Sequence, residues 1–377
     1  MGKKFIPVCE PFLAGREKEY VMEALESGWI SSAGKYISAF ENAFAAYIGV
    51  KHAIAVTNGT NALHLALVAI GISKEDEVII PDFTMIASAF AVCYTGAKPV
   101  FVDAESRAWN IDPGKIEEKI TSKTKAIMVV HIYGHPCEMK RITEIAKKYN
   151  LRIIEDAAEV HGAEYFGKKC GNLSDIAAFS FFANKIATTG EGGMVVINDD
   201  ELAEKCRYYK NLCFPIKGER NYMHNDIGFN YRMSNIHAAL GLAQVEKLDF
   251  YIGKRRENNR QYRKHLSEIP GVIFQEELQG TKNVYWMNGI VIDKEKFGMS
   301  RNELMYKLKK EGIDTRYFFN GMHKQPSLIK YDCDCEGDFK ITNWLAENGL
   351  YLPSGSNLTA ADVERISLTI QKFHKKK

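Results

Sequence analysis

Long apolar runs, dense cysteine and a dominant charge are all missing from this 377-residue chain. No segment reaches the about 18 uncharged apolar residues that a membrane-spanning helix needs. The start, Met1-Gly2-Lys3-Lys4-Phe5, lacks the apolar stretch of a secretory leader. The expectation is a cytoplasmic protein with no membrane partner. Eight cysteines are too sparse for a disulfide scaffold. Cys333 and Cys335 flank Asp334, but no second Cys or His pair follows at zinc-site spacing, so no metal is expected there. Lys plus Arg is 50 and Asp plus Glu is 47, a net charge of +3. That balance gives no electrostatic case for a nucleic-acid partner, and Lys375-Lys376-Lys377 reads as a solvated tail. Gly-x-Gly-x-x-Gly and Walker patterns are absent, as are internal repeats and low-complexity blocks.

What is present is an ordinary globular composition, 46% hydrophobic and 26% charged. At about 150 residues per domain, the length suits two or three domains, or one large and one small. Short apolar runs at Ala53–Val56, Glu77–Ile80, Pro99–Val102, Ala126–Val130 and Arg152–Ile154 read as buried strands. Helical stretches lie between them, at Asn61–Ile70, Thr84–Tyr94, Asp112–Ile120 and Cys137–Tyr149. This alternation predicts an α/β architecture with a largely parallel sheet. Two further apolar runs, Ala177–Phe182 and Met194–Ile197, flank a Gly-rich connection. Asn235 to about Leu266 reads as one long helix of rising charge. Mixed strand and helix signals follow it at Val284–Ile292, Arg301–Lys310, Phe339–Asn348 and Thr359–His374. The expected division is therefore residues 1–245 and 246–377.

Open α/β sheets bind ligands beyond the carboxyl ends of their strands, which directs attention to three stretches. Thr57-Asn58-Gly59-Thr60-Asn61 opens an apolar helix, and its free N–H groups and helix dipole suit a phosphate or simple N-capping equally. Glu155-Asp156 ends an apolar strand. It reads as a helix-start acid pair, or as one carboxylate placed to pair with a cationic ring nitrogen. Lys185 follows the apolar run Phe179-Ser180-Phe181-Phe182 and precedes Gly190-Glu191-Gly192-Gly193. It reads as a surface lysine closing a strand, or as an amine made nucleophilic by apolar walls. His131 and His135 stand four apart, but Gly134 and Pro136 prevent a helix that would present them together to a metal.

Taken together, the stretches are more specific. They are Gly28-Trp29-Ile30-Ser31-Ser32, Asn58-Gly59-Thr60-Asn61-Ala62-Leu63-His64, Ile80-Pro81-Asp82-Phe83-Thr84, Glu155-Asp156-Ala157-Ala158-Glu159, Phe179-Ser180-Phe181-Phe182, Thr188-Thr189-Gly190-Glu191-Gly192-Gly193 and Gly228-Phe229-Asn230-Tyr231-Arg232-Met233. In this order, from about Pro7 onward, they resemble the DegT/DnrJ/EryC1/StrS sugar aminotransferases. His131-Ile132-Tyr133-Gly134-His135-Pro136-Cys137 and Phe181-Phe182-Ala183-Asn184-Lys185 resemble the branch that aminates C4 of GDP-4-keto-6-deoxymannose.

The resemblance implies fold type I, aspartate aminotransferase-like: a large domain with a mixed, mostly parallel sheet, plus a smaller C-terminal α+β domain. It implies pyridoxal 5'-phosphate as cofactor, L-glutamate as amino donor and a nucleotide-linked keto-sugar as acceptor. Lys185 matches the lysine that bonds to the cofactor, and Asp156 the acid beside its ring nitrogen. Glu159 matches a position, often Gln, beside the ring hydroxyl. Gly59, Thr60 and Ser180 match phosphate contacts, and Met85 falls where many relatives place an aromatic ring. Asn230 matches a residue reaching the neighbouring subunit's cofactor, which implies a homodimer. Tyr285, Trp286, Arg316 and His323, with the Pro7–Gly15 segment, are expected on the substrate face. For Arg316 a surface salt bridge is an equal reading, and for His323 a structural role. A dTDP- or UDP-linked 4-keto or 3-keto sugar is the alternative substrate. A related dehydratase carries histidine where this chain has Lys185.

Overall fold

The computed structural model describes residues 4–374 except 217 and 219–221. The Lys375–Lys377 tail lies outside the described residues. Seven strands build the main sheet: β1 (His52–Val56), β2 (Glu77–Pro81), β3 (Lys98–Val102), β4 (Thr124–Val130), β5 (Arg152–Asp156), β6 (Ile176–Ser180) and β7 (Gly193–Ile197). Their order is β1-β7-β6-β5-β4-β2-β3. β3, β2, β4, β5 and β6 pair in parallel, while β7 runs antiparallel to both β1 and β6. This is the expected mixed, mostly parallel sheet. The carboxyl ends of β1, β4, β5 and β6 and the start of β7 therefore meet at one edge.

The strands read as continuous apolar runs because helices cover both faces of the sheet. The first eight helices are α1 (Glu17–Glu26), α2 (Lys35–Ile48), α3 (Gly59–Ala69), α4 (Ala87–Tyr94), α5 (Met139–Tyr149), α6 (Asp200–Tyr209), α7 (Asn235–Glu246) and α8 (Leu248–Leu266). α3 and α4 pack Leu63, Ala66, Leu67 and Val92 against Ile54, Val56, Val78 and Ile80. α5 buries Met139, Ile142 and Ile145 against Ile127, Val129 and Ile153. α2 sets Phe40 and Phe44 edge-on to Phe179 and Phe181. Each fully buried Phe contributes about 2–3 kcal/mol, which outweighs the missing side-chain cap at Gly34.

A second, antiparallel sheet is made of β8 (Val272–Phe274), β9 (Asn288–Ile292), β10 (Arg316–Tyr317) and β11 (Gly349–Leu352), in the order β8-β9-β11-β10. Tyr262 and Leu266 of α8 share its core with Leu304, Leu308, Val363, Ile366 and Ile370.

Three helix expectations are corrected. The stretch 112–120 forms two 3-10 turns, Pro113–Lys115 and Glu117–Lys119, rather than one helix. The helix expected from Thr84 starts at Ala87, whose N–H donates to Met85 Sδ at 3.0 Å. The single helix expected over 235–266 is two, broken at Lys247 with φ −111° and ψ 9°. The break lets apolar α7 lie on α2 while polar α8 turns toward the second sheet. The proposed division at residue 245 falls beside this break. The N-terminal segment crosses it, since Ile6 pairs with Ile313 and packs in the core of the second sheet.

Candidate active site

The converging strand ends enclose a cavity of about 340 Å³. Asn58, which follows β1, caps α3 by accepting from Asn61 N–H at 2.8 Å. α3 thus begins at Gly59 with its positive end toward the cavity. A Cβ on Gly59 would lie 2.7 Å from Ser180 Cβ, and one on Gly193 would lie 2.2 Å from the Asn58 carbonyl oxygen. The cradle at the helix start closes onto β6 and β7 only because neither residue has a side chain.

β5 ends in two acids that face opposite ways, as adjacent strand residues must. Glu155 turns inward, away from the cavity. It accepts from the N–H groups of Gly171 (2.7 Å) and Leu173 (2.9 Å) and from Ser174 Oγ (2.8 Å), and meets His131 Nε2 at 3.0 Å. Asp156 turns to the cavity. Ser88 Oγ donates to it at 2.7 Å and Ala158 N–H at 3.2 Å. Thr84 Oγ1 stands 3.2 Å from Ser88 Oγ and completes a short relay.

Lys185 follows the end of β6 in a turn without regular structure, its N–H donating to Phe182 O at 2.9 Å. Its amine lies 3.8 Å from the centroid of the Trp286 ring and 3.9 Å from Glu159 Oε1. The other Glu159 oxygen accepts from Tyr133 N–H at 2.7 Å.

These three groups share one electrostatic condition. Burial pushes Asp156 above its ordinary range, opposed by Ser88, the Ala158 N–H and Lys185. Burial pushes Glu159 up to about 7, opposed by the Lys185 charge and the Tyr133 N–H. Burial pulls the Lys185 amine down, opposed by Glu159 and Asp156. Two acids and an amine in one cleft, each displaced toward its neutral form, are the mark of a proton-transfer site.

The comparisons with known proteins agree with this chemistry. A model of the DegT/DnrJ/EryC1/StrS aminotransferase family matches residues 11–371. The chain belongs to this family. It is 46% identical over 375 residues to a GDP-perosamine synthase of Escherichia coli O157:H7, covering 99% of this chain and 100% of that one. It is 46% identical over 362 residues to a GDP-perosamine synthase of Caulobacter vibrioides, covering 96% of each. Among solved structures it resembles an aminotransferase from Psychrobacter cryohalolentis, with 30% identity, a TM-score of 0.90 and 98% of both chains covered. Helicobacter pylori PseC, an aminotransferase involved in pseudoaminic acid biosynthesis, aligns with 28% identity and a TM-score of 0.92 over 98% of this chain and 99% of that one.

The fold of this aminotransferase gathers Gly59, Thr60, Met85, Asp156, Glu159, Ser180, Lys185 and Trp286 around the cavity. Four expected residues do not line it in the single chain. Asn230 is exposed and bridges Asn211. Tyr285, in a turn at φ +48°, sends its hydroxyl away to Glu277 at 3.0 Å. Arg316 is exposed on β10 and pairs with Asp314. His323 is held by Asp82, with its N–H donating to Oδ1 at 2.8 Å and its ring Nδ1 2.7 Å from Oδ2, and it stacks on Phe339. His131 and His135 are likewise engaged, His135 with Pro136 O and the Leu278 N–H.

Sequence reasoning passed over other wall residues: Thr84, Asn184, Glu191, Phe319 and Tyr351, and Ser88 behind Asp156. Thr84 and Ser88 carried a usable signal, since they follow β2 at the same sheet edge. Phe319 and Tyr351 come from remote segments and carried none.

Proposed function

We propose that this aminotransferase uses pyridoxal 5'-phosphate to move an amino group from L-glutamate to C4 of a GDP-linked 4-keto-6-deoxy sugar, forming GDP-perosamine. The observation that carries the substrate is the 46% identity, over the full length of the relative, to an enzyme named for that product. The observation that carries the cofactor is the state of Asp156. It is a buried acid pushed toward its neutral form and facing open space, and a cationic ring nitrogen would restore its charge. The cradle formed by Gly59 and Ser180 at the start of α3 suits a phosphate by the same reasoning.

In this reading Gly59, Thr60 and Ser180 hold the phosphate, Asp156 faces the ring nitrogen and Glu159 the ring hydroxyl. When bound, the cofactor supplies a carbonyl for the amino group and a ring that withdraws electrons from the carbon losing its proton. The chain's own residues do the rest. Ser88 and Thr84 fix the Asp156 carboxylate. Lys185 takes the proton from the donor's Cα and returns it, a role suited to an amine whose pKa burial lowers. Met85, half exposed at the mouth, packs a thioether where relatives place a ring. Trp286 excludes water above the amine. We assign Asn230 to the neighbouring subunit's site in a homodimer, and Tyr285, Arg316 and His323 to the binding of the sugar nucleotide.

The test is turnover. Purified protein with cofactor, glutamate and GDP-4-keto-6-deoxymannose should release 2-oxoglutarate and a sugar nucleotide whose mass shows an amino group in place of the keto oxygen. Strict preference for a dTDP- or UDP-linked keto-sugar would reject the GDP assignment. Loss of a hydroxyl without gain of nitrogen would reject transamination.

A further inference from the structure

Arg255 lies in the charged stretch Lys254-Arg255-Arg256 of α8, yet it is only 1% exposed. Its guanidinium donates to Ser356 Oγ (3.1 Å), to Trp286 O (2.5 Å), and to Cys9 Sγ and Lys185 O (3.5 Å each). None of these four acceptors is a carboxylate. A buried cation is normally matched by a carboxylate; this one is matched by a hydroxyl, a thiol and two carbonyls, and both carbonyls belong to the machinery of the site. One is the carbonyl of Lys185 itself. The other belongs to Trp286, whose ring lies against the Lys185 amine and whose indole N–H donates to Asn184 O at 2.9 Å. The turn bearing Lys185 is pinned at its base by the Phe182–Gly190 bridge and the Lys185 N–H bond to Phe182 O, and this clamp from α8 and the Trp286 segment holds its outer side.

We infer that Arg255 is a positioning residue for Lys185: its bonds to the Lys185 and Trp286 carbonyls hold the amine in place, and its fixed charge stands close enough to oppose a second cation there. The inference deepens the reading of Lys185 as the cofactor lysine and rests on it for its functional meaning. Guanidinium does not give up its proton in proteins, so its field is constant across the working pH range. The other groups acting on the amine are Asp156 at the end of β5, Glu159 and His161 after it, and Cys9 of the N-terminal segment, while Glu191 and Tyr351 line the same cavity. Burial disfavours a charged lysine most strongly, the two buried acids favour one, and Arg255 adds to the effect of burial. That balance leaves an amine able both to attack and to carry a proton.

The test reads the amine directly, in the full chain freed of cofactor. Lysines are acetylated with a low dose of acetic anhydride across a pH series, and the Lys185 peptide is quantified by mass spectrometry. Exposed Lys254 serves as the internal standard. In the parent, Lys185 should reach half-maximal labelling at lower pH than Lys254. Arg255→Gln should raise the Lys185 midpoint by about one pH unit and leave Lys254 unchanged. Arg255→Lys, which retains a cation, should return most of that shift. Equal Lys185 midpoints in the parent and a folded Arg255→Gln would overturn the inference. A parent midpoint equal to that of Lys254 would overturn it without any variant. Labelling needs no cofactor, so its outcome is separable from failure of the cofactor assignment, which would appear as a missing visible absorbance band in protein given pyridoxal phosphate.

Discussion

Glu155 and Asp156 are consecutive, both buried and both at the end of β5, yet they belong to different kinds of region. Glu155 sits in a closed network. Two backbone N–H groups, a serine hydroxyl and the His131 ring meet its oxygens, and their pull overcomes burial and leaves its pKa below the ordinary value. Asp156 sits in an open one. It receives Ser88 and a long bond from Ala158, and its pKa stays above the ordinary value. The first arrangement holds the sheet edge to the 171–174 turn. The second leaves the carboxylate facing the cavity with fewer donors. His131, Glu155 and Cys170 do bring ligand-type atoms within 4.8 Å of one another, but His131 and Glu155 spend theirs on hydrogen bonds. Buried ionisable groups therefore mark function by what is left uncompensated.

The comparison is easiest to break at the open network. Lys185→Ala should lower amino transfer by at least about a thousandfold with little change in melting temperature, as measured by steady-state assay and calorimetry. Asp156→Asn should cost about a hundred- to a thousandfold in kcat, because the amide keeps the Ser88 contact and loses the charge. The closed network should answer in the opposite currency. Glu155→Ala should destabilise the fold by about 3 kcal/mol, since it strands His131 and the turn N–H groups. The protein that remains folded should turn over within a few-fold of the parent. A large kcat loss at unchanged stability would erase the distinction between the two acids.

Smaller effects sharpen it. Gly59→Ala should weaken cofactor binding about ten- to a hundredfold by titration, because its Cβ would press on Ser180. For Glu159 the sign follows from linkage. Its folded pKa of about 7 lies above the ordinary 4.5, so the folded state binds more protons across that window and stability falls as pH rises through it. Glu159→Gln removes the titration. Its melting temperature relative to the parent should therefore improve from about pH 4.5 to about pH 7 and level off above that. A flat difference would mean that Glu159 does not hold its proton in the fold.

Much of the large sheet was legible from the chain alone. Strands covered on both faces read as plain apolar runs, and β1 to β7 lie where those runs fall. α2 was legible but passed over: Tyr36, Phe40, Phe44 and Ile48 recur every fourth residue and are all buried. The break at Lys247 carries neither glycine nor proline, so nothing local announces it. Within the site, the strand period shows that Glu155 and Asp156 face opposite ways. Which one meets the cavity is settled by the loop at 171–174 and by Ser88, both remote in sequence. Arg255 looked like any member of a basic helix until the packing of α8 buried it between two exposed or half-exposed neighbours. Tyr285, Arg316 and His323 take their directions from Glu277, Asp314 and Asp82, and of these partners only Asp82 lies in a stretch that carries the family resemblance.

The central claim is that Lys185 is the residue that bonds to pyridoxal phosphate in the cleft facing Asp156. Borohydride reduction of the loaded protein, followed by peptide mass mapping, tests it most directly. The account predicts one phosphopyridoxyl group, on Lys185. Modification of a different lysine, or none at all, would contradict it.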